Sequence, residues 1–231
     1  MNEALTRSDI FVVIPVFNER QVIRAVIESL LPHAYTVVVV DDGSTDGTGD
    51  VISDLDIVLL RHRFNLGQGA ALQTGIDFAA RCNASIVVTF DGDGQHQAAD
   101  IPAVIQPLLL NETDAVLGSR FLPGALTNMS ATRRVVIGVA RLLHFLITGL
   151  WLSDAHNGFR AFNRKAITKI RFRQNRMAHA SEVLIMLHEH KLRILEVPVT
   201  IFYSDYSRAK GQPLLNGLRI LMDLLLNRIF D

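Results

Sequence analysis

The sequence SIVVTFDGDGQ, residues 85–95, places two carboxylates directly after an apolar run. Residues 85–90 are apolar and rich in β-branched side chains, which predicts a buried strand. Asp91-Gly92-Asp93 follows at once. Taken alone, this triplet is also compatible with a solvated turn, because Asp and Gly are common turn residues.

Strands and helices alternate along the first half of the chain. The pattern predicts strands at 10–16, 36–40, 57–60, 85–90 and from 115–118, and helices at 19–31, near 46–55, at 68–80 and at 101–110. Such alternation predicts a mostly parallel α/β sheet with helices on both faces. Three polar clusters follow strands: Asn18-Glu19, Asp41-Asp42 and Asp91-Gly92-Asp93. Because ligands bind beyond the carboxyl ends of parallel strands, we expect these clusters to form one site.

The second half reads differently. The pattern predicts a long helix at 132–150, a loop that becomes extended over 154–163, a helix at 178–190, a strand at 193–201, a basic loop at 203–212 and a final helix at 214–230. The long helix and the final helix are apolar over most of their circumference. This leaves two interpretations open, core packing or a position in the membrane interface.

Charge is divided unevenly although the formal net charge is zero. Residues 1–113 hold 6 Lys and Arg against 15 Asp and Glu, and residues 114–231 hold 17 against 8. The first part therefore carries −9 and the second +9. An acidic part suits cation binding, and a basic part suits phosphates or an anionic membrane surface.

Composition also bounds the cellular setting. Cys82 is the single cysteine, so no intrachain disulfide can form, which fits a reducing compartment. The N-terminal residues show no secretion signal, and no uncharged apolar run reaches the roughly 18 residues typical of a membrane span. We therefore expect a cytoplasmic protein with no nucleic-acid partner. The family resemblance described below implies that it is peripheral at the cytoplasmic face of the membrane.

Asp91, Asp93 and Gln95 carry oxygen atoms at alternate positions after a strand. Hard divalent cations prefer oxygen ligands and keep waters and substrate phosphates in their coordination shell. This spacing predicts a Mg²⁺ or Mn²⁺ that bridges a diphosphate. His96 is expected to support this site rather than to bind the ion.

Several motifs together resemble glycosyltransferase family two, of GT-A (Rossmann-like) fold. In order they are IPVFNE at 14–19, VDDGSTDGT at 40–48, NLGQG at 65–69 and DGDGQH at 91–96. Further motifs are similar to the dolichyl-phosphate mannose synthase and polyprenyl-phosphate glycosyltransferase branch. These are GSRF at 118–121, DAHNGFRAF at 154–162, EVPV at 196–199 and SRAKGQ at 207–212. With them the resemblance covers nearly the whole chain.

The resemblance implies an inverting, metal-dependent transfer of sugar from a UDP- or GDP-sugar to a polyprenyl (undecaprenyl- or dolichyl-type) phosphate. It implies a single domain over 1–231, with a nucleotide-sugar and metal half at about 8–120 and an acceptor and membrane-facing half at about 121–231. The implied roles fall into four groups: catalysis by Asp91, Asp93 and Arg120; nucleotide-sugar binding by Pro15, Asn18, Glu19, Asp42, Asp91 and Gly92; acceptor phosphate binding by Arg120, Arg133, Arg134, Arg208 and Lys210; metal binding by Asp91, Asp93 and Gln95.

A lipid phosphate is largely dianionic at neutral pH, so it needs arginine forks to position it and no dedicated general base. A small membrane-anchoring protein is a candidate partner. Two alternatives stay open at this point. One is a transferase acting on a saccharide or other hydroxyl, which would need a base in the second half. The other is a non-catalytic nucleotide-sugar-binding subunit, which the intact Asp91, Asp93 and Gln95 set argues against.

Overall fold

The computed structural model describes residues 9–172 and 179–210. Within these ranges seven strands form one mixed sheet. The strands are β1 (Ile10–Val16), β2 (Thr36–Asp41), β3 (Val58–Arg61), β4 (Ile86–Thr89), β5 (Ala115–Ser119), β6 (Arg160–Asn163) and β7 (Ile194–Pro198). Their spatial order is β3-β2-β1-β4-β6-β5-β7. Only β6 runs antiparallel to its neighbours, β4 and β5, so the prediction of a mostly parallel sheet is confirmed.

Helices cover both faces of the described sheet. They are α1 (Ile23–Leu30), α2 (Gln68–Arg81), α3 (Ile101–Leu109), α4 (Ala131–Thr148), α5 (Arg164–Ile167), α6 (His179–Glu189) and α7 (Asp205–Lys210). Helices α1 and α3 pack on one face, and α2, α5 and α6 pack on the other. Strand β1 is buried along its whole length, which explains why it lacks the apolar–polar alternation of a half-exposed strand.

The topology brings the loops after β1, β2 and β4 to one edge of the sheet. Strands β1, β2 and β4 are parallel neighbours, so the loops after Val16, Asp41 and Thr89 leave the same edge of the sheet. Strand β6 comes from the second half of the chain and lies between β4 and β5. Both predicted halves therefore share one sheet, and the loop that precedes β6 reaches the same edge as the acidic loop after β4.

The helix predicted near 46–55 is wrong, because only a single 3-10 turn forms there, at Asp50–Ile52. The Asp46 carboxylate accepts hydrogen bonds from the backbone N–H and the hydroxyl of Thr48. Gly47 adopts a φ of +83°. A side chain that closes a local turn and a left-handed glycine both compete with helical backbone.

The segment predicted as a basic loop at 203–212 is also corrected, because residues 205–210 form the short helix α7. The strand predicted at 193–201 is shorter and ends at Pro198, although Ile201 forms isolated bridges with His96 and Thr127. The final helix predicted at 214–230 lies outside the described residues. No helix within 9–172 and 179–210 is long and apolar enough to cross a membrane.

Candidate active site

The loop after β4 carries the two central carboxylates. The backbone N–H of Gln95 donates to Asp93 Oδ1 over 3.0 Å, and the Gln95 side-chain amide also bonds to the Asp93 carboxylate. Gln95 therefore lies beside Asp93, as the predicted metal set requires. In this orientation its amide nitrogen faces Asp93, so the amide would have to turn over to offer its oxygen to a cation.

Asp91 is held by side-chain contacts on both of its oxygens. Gln68 Nε2 donates to Asp91 Oδ1 over 3.1 Å, and His96 Nε2 lies 2.9 Å from Asp91 Oδ2. The His96 ring is buried and packs against Phe90 and Phe159. The structure thus shows His96 supporting Asp91 from within the core. A carboxylate that is fixed in this way is preorganised to receive a ligand on its remaining lone pairs.

Gly158, in the loop before β6, presses against the same carboxylate. A Cβ on Gly158 would lie 2.5 Å from Asp91 Oδ2 and 2.8 Å from Asp91 Oδ1. Such distances are far below normal contact, so only glycine allows Asp91 its present position. Gly92 is restricted for a different reason, since its Cβ would lie 2.7 Å from Val16 Cγ1. Packing against β1 therefore accounts for glycine at position 92, and its contact with a nucleotide stays a prediction.

The pKa values of the two carboxylates are shifted in opposite directions. Burial together with the neighbouring Asp91 charge raises the pKa of Asp93 to about 6. Burial also opposes ionisation of Asp91, but the hydrogen bond from His96 and the charges of His179 and Arg160 hold its pKa below the usual value. Negative charge is thus concentrated at a partly buried point where a cation would relieve the repulsion.

The donor set fits a hard divalent ion. Asp91 and Asp93 offer carboxylate oxygens, which Mg²⁺ and Mn²⁺ prefer. Within the described ranges no group of three or more His, Cys, Asp or Glu side chains is arranged to hold a metal. Two protein carboxylates would therefore leave several positions to water and to a substrate diphosphate, as is usual for Mg²⁺ sites.

Asn18 and Glu19 lie in the loop that follows β1, which is hydrogen-bonded to the loop that follows β2. The Asn18 N–H donates to Ser44 Oγ, the Thr45 N–H donates to Asn18 Oδ1, and the Glu19 N–H donates to Thr48 Oγ1. Asn18 takes a left-handed φ of +56°, which turns the chain sharply after the strand. The structure therefore brings Glu19 to the same edge of the sheet as the acidic loop.

Asp42 is buried and makes contacts of its own. Its carboxylate accepts from the N–H groups of Leu66 and Gly67, and its Oδ1 lies 2.7 Å from His62 Nδ1. Thr74 Oγ1 lies 2.9 Å from the other nitrogen of His62. Asp42 thus fixes the glycine-containing loop that precedes α2, and its predicted role in holding the nucleoside stays a prediction. Pro15, also predicted for nucleotide binding, is buried inside β1 beside Val40.

Arg120 forms a buried ion pair that the sequence did not predict. Its guanidinium donates to both oxygens of Asp154 over 2.6 and 2.7 Å and to the hydroxyl of Tyr203 over 2.7 Å. The Asp154 side chain is fully buried. The Glu196 carboxylate in turn accepts from the N–H groups of Ser153 and Asp154. Of the five N–H donors of Arg120, these bonds leave two for a phosphate.

The two helix arginines differ in position. Arg133 lies with its guanidinium carbon 4.3 Å from the centre of the Tyr203 ring, whereas Arg134 is exposed. Ser130 caps α4 by accepting from the Arg133 N–H. Arg133 is thus connected to Arg120 through Tyr203. Arg208 and Lys210 lie on α7, and their predicted contacts with phosphate stay predictions.

The segment 201–206 connects the acidic loop to the arginines. The Phe202 N–H donates to the Gln95 carbonyl over 3.1 Å, and the next residue, Tyr203, contacts Arg120 and Arg133. Three residues later the Tyr206 hydroxyl donates to Glu19 Oε2 over 2.8 Å. One short stretch of chain therefore contacts the loop of Asp93, the arginines and Glu19.

A pocket with about 550 Å³ of open space, part of it open to solvent, adjoins Asp91 on the face covered by α2 and α6. Arg160 lines it and is buried. Its guanidinium donates to the carbonyls of Asn157, Ala155 and Ala180, and burial lowers its pKa to about 10. Arg160 thereby joins the loop before β6 to the start of α6.

The sequence comparisons identify the family of this chain. The family model described as Glycosyl transferase family 2 matches residues 11–171. The chain is 34% identical over 238 residues to the UDP-N-acetylglucosamine–dolichyl-phosphate N-acetylglucosaminyltransferase of Methanococcus voltae, covering 94% of this chain and 95% of that protein. It is 31% identical over 169 residues to the polyprenol monophosphomannose synthase of Mycolicibacterium smegmatis, covering 69% and 63%.

The fold is also found among solved structures. Glucosyl-3-phosphoglycerate synthase of Mycobacterium tuberculosis, in complex with Mn²⁺, UDP-glucose and phosphoglyceric acid, superposes with a TM-score of 0.74 at 23% identity, covering 95% of this chain and 79% of that one. At this identity the likeness establishes the GT-A fold. With the family match, the site and the fold on one chain, the protein is a glycosyltransferase. It belongs to glycosyltransferase family 2.

Proposed function

We propose that the protein transfers a sugar from a UDP- or GDP-sugar to the phosphate of a polyprenyl phosphate, with Mg²⁺ or Mn²⁺ as cofactor. The strongest support comes from two neighbouring residues, because Phe202 contacts the acidic loop and Tyr203 contacts Arg120 and Arg133. The acidic loop and the two arginines therefore lie close to one short segment. The acidic loop suits a metal-bound nucleotide diphosphate. The arginines suit a second phosphate, which a saccharide or other unphosphorylated hydroxyl acceptor does not carry.

The proposed chemistry is a direct displacement. An oxygen of the lipid phosphate attacks the anomeric carbon, the bond from that carbon to the diphosphate oxygen breaks, and its electron pair leaves with the nucleoside diphosphate. Attack from the opposite side inverts the anomeric centre. A bound divalent ion would supply charge neutralisation for the departing diphosphate. The attacking phosphate needs no base because it is already largely ionised.

The residues of this chain would then have separate tasks. Asp91 and Asp93 hold the cation, with Gln68 and His96 keeping Asp91 in place. Arg120 and Arg133 orient the lipid phosphate, and Asp154 keeps Arg120 in place. Excluding water matters as much as orientation, because water would hydrolyse the donor. The two relatives named above use different sugars, as their names state, so the sugar is addressed separately below.

A panel of donors tests the proposed reaction. Purified protein with Mn²⁺ is incubated with each of several UDP- and GDP-sugars, with polyprenyl phosphate, with unphosphorylated polyprenol or with no lipid. We expect nucleoside diphosphate release from at least one donor to rise about 100-fold or more when polyprenyl phosphate is added, because oriented attack replaces slow hydrolysis. Release that is equal with and without the lipid phosphate would favour a different acceptor.

The two helix arginines provide a matched pair of variants. We expect Arg133→Gln to raise the KM for polyprenyl phosphate about tenfold or more. A hydrogen-bonded contact between an arginine and a phosphate contributes about 1.5–3 kcal/mol to binding. Arg134→Gln should change the same KM by less than about threefold, since an exposed charge is screened by solvent. Steady-state kinetics at fixed donor concentration measures both. Equal effects of the two variants would contradict the role of Arg133.

We also propose that α4 meets the surface of the membrane that holds the acceptor, at its cytoplasmic face. Val135, Val139 and Leu142 lie on one side of α4 and are 46% to 67% exposed, and Trp151, which follows α4, is 60% exposed. The Arg141 guanidinium lies 4.8 Å from the centre of the Trp151 ring. Exposed aliphatic and aromatic side chains with a flanking arginine are typical of interfacial helices.

Flotation with liposomes tests the membrane surface. We expect the full chain to float with vesicles that contain anionic lipid at low salt, and a Val135→Glu/Val139→Glu variant to bind about 100-fold less, because each of the two buried apolar side chains contributes about 1.5 kcal/mol. Leu110→Glu, at the exposed position that directly follows α3, is the control. A full chain that stays in the soluble fraction, or a double variant that floats equally well, would contradict the proposal.

A further inference from the structure

The proposed transfer assigns no role to the pocket beside Asp91. It opens next to a carboxylate proposed to hold the cation and extends towards the core, between the start of α2 and the start of α6. A donor whose diphosphate is held at Asp91 would bring its sugar to this place. On a sugar the carbon next to the anomeric centre is C2, so its substituent would lie close to the pocket mouth.

The charges at the pocket select against a charged substituent. Asp91 lines the pocket, and its carboxylate repels an anionic group on C2. Arg160 lines the interior and repels a cationic group such as a free amine. The three carbonyl contacts of Arg160 also occupy its Nε and Nη2. The pocket therefore suits a neutral group.

The apolar part of the pocket selects for size. Leu72, Phe162 and Phe172 line it, and of these Leu72 and Phe162 belong to the buried core. A hydroxyl placed there would leave apolar surface uncovered, whereas a methyl group would bury it at roughly 25 cal/mol per Å².

Polar side chains of the lining complement an amide. His156 and His179 line the pocket together with Gln68. Burial lowers the pKa of His156, so its imidazole is neutral near pH 7 and can either donate or accept a hydrogen bond. An amide needs both, since it offers one N–H and one carbonyl oxygen.

We propose that this pocket receives the 2-acetamido group of the donor sugar, so that the donor class is a nucleotide-linked N-acetylhexosamine. This inference rests on the proposed function above, which says only that some nucleotide sugar is the donor. The methyl group lies on Leu72, Phe162 and Phe172, and the amide meets the polar side chains of the lining.

Paired donors test the proposal. Transfer to polyprenyl phosphate is measured with UDP-N-acetylglucosamine and with UDP-glucose, which differ only at C2. We expect kcat/KM for the acetamido donor to be at least about 30-fold higher, the discrimination that a pocket built for one extra group achieves. Ala180→Leu narrows the pocket at the start of α6, and this variant should lower the ratio of the two kcat/KM values at least about tenfold.

Ala103→Leu makes the same change on the exposed side of α3, across the sheet, and should leave the ratio unchanged. If Ala180→Leu does not fold, Leu72→Phe narrows the pocket from α2 and serves as the second variant. Equal use of both donors, preference for UDP-glucose, or best transfer from a donor without an acetamido group such as GDP-mannose would overturn the pocket assignment and leave the proposed function standing. Absence of glycolipid with every donor would overturn the proposed function itself.

Discussion

Replacing Asp93 by Asn is expected to lower sugar transfer at least about 1,000-fold while leaving the fold intact. The variant keeps the size of the side chain and removes the charge that would bind the cation. Charge stabilisation of a leaving group at a preorganised site is typically worth several kcal/mol. Steady-state transfer assays at saturating Mn²⁺ measure the loss. A variant that retains more than about a tenth of the wild-type rate would contradict the metal role of Asp93.

The same variant should be at least as stable as the wild type when metal is removed with EDTA. Burial and Asp91 raise the pKa of Asp93 to about 6 in the folded protein, above its ordinary value. Between these two values the folded state binds more protons than the unfolded state, so this group reduces stability as pH rises through the window. Asn carries no such cost.

Thermal melting in EDTA checks the sign of the contribution that Asp93 makes to stability. The difference in melting temperature, Asp93→Asn minus wild type, should be larger at about pH 7.5 than at about pH 4.5, because the cost of the charged carboxylate is complete only above its folded pKa. A variant that melts well below the wild type at the higher pH would show that Asp93 serves the fold. Loss of activity together with retained stability is the signature of a functional carboxylate.

Gly158→Ala is expected to lower kcat about 100-fold, because a displacement near 1 Å at a reacting site has effects of this order. Its new methyl group would overlap the Asp91 carboxylate, which must move. Gly158 has no left-handed φ, so alanine brings no backbone strain, and the melting temperature should fall only modestly.

Combining Gly158→Ala with Asp91→Asn tests whether the effect of Gly158→Ala passes through Asp91. If Gly158→Ala acts by displacing Asp91, it should add little to the loss already caused by Asp91→Asn, because two changes in one contact are not additive. Transfer rates of the single and double variants form the required cycle. Fully multiplicative losses, or a Gly158→Ala enzyme within about threefold of the wild type, would contradict a steric restraint on Asp91.

The elements that position the acidic loop could be predicted from sequence because their signals are local. Strand β1 is an unbroken apolar run with β-branched residues, and α1 buries residues at helical spacing. The false helix near 46–55 shows where local signals fail. There a side-chain turn at Asp46 and the left-handed Gly47 outweigh helical spacing.

The candidate site was predictable in its acidic part and less so in its basic part. Asp91, Asp93 and Gln95 are close in sequence, so their proximity follows from one loop. The contact of Tyr206 with Glu19 joins residues 187 positions apart, and the contact of Arg120 with Tyr203 joins residues 83 apart. No periodicity encodes such pairs, because they depend on how the chain after β7 returns across the sheet edge.

The buried pairing of Arg120 also changes how its role is understood. A guanidinium bound on two sides by Asp154 and on a third by Tyr203 cannot turn freely towards a ligand. It presents a fixed pair of donors instead. Fixed donors lose less conformational entropy on binding than a mobile lysine would, which favours recognition of a phosphate at a defined place.

Mass spectrometry of the lipid after reaction tests the central claim most directly. The enzyme, Mn²⁺, polyprenyl phosphate and the donor selected from the panel are incubated, and the lipid and the nucleotide are both quantified. The account predicts that the lipid gains the mass of a single sugar residue and that each such lipid is matched by one nucleoside diphosphate, with neither product formed by Asp93→Asn. Nucleoside diphosphate released while the mass of the lipid phosphate stays unchanged would contradict it.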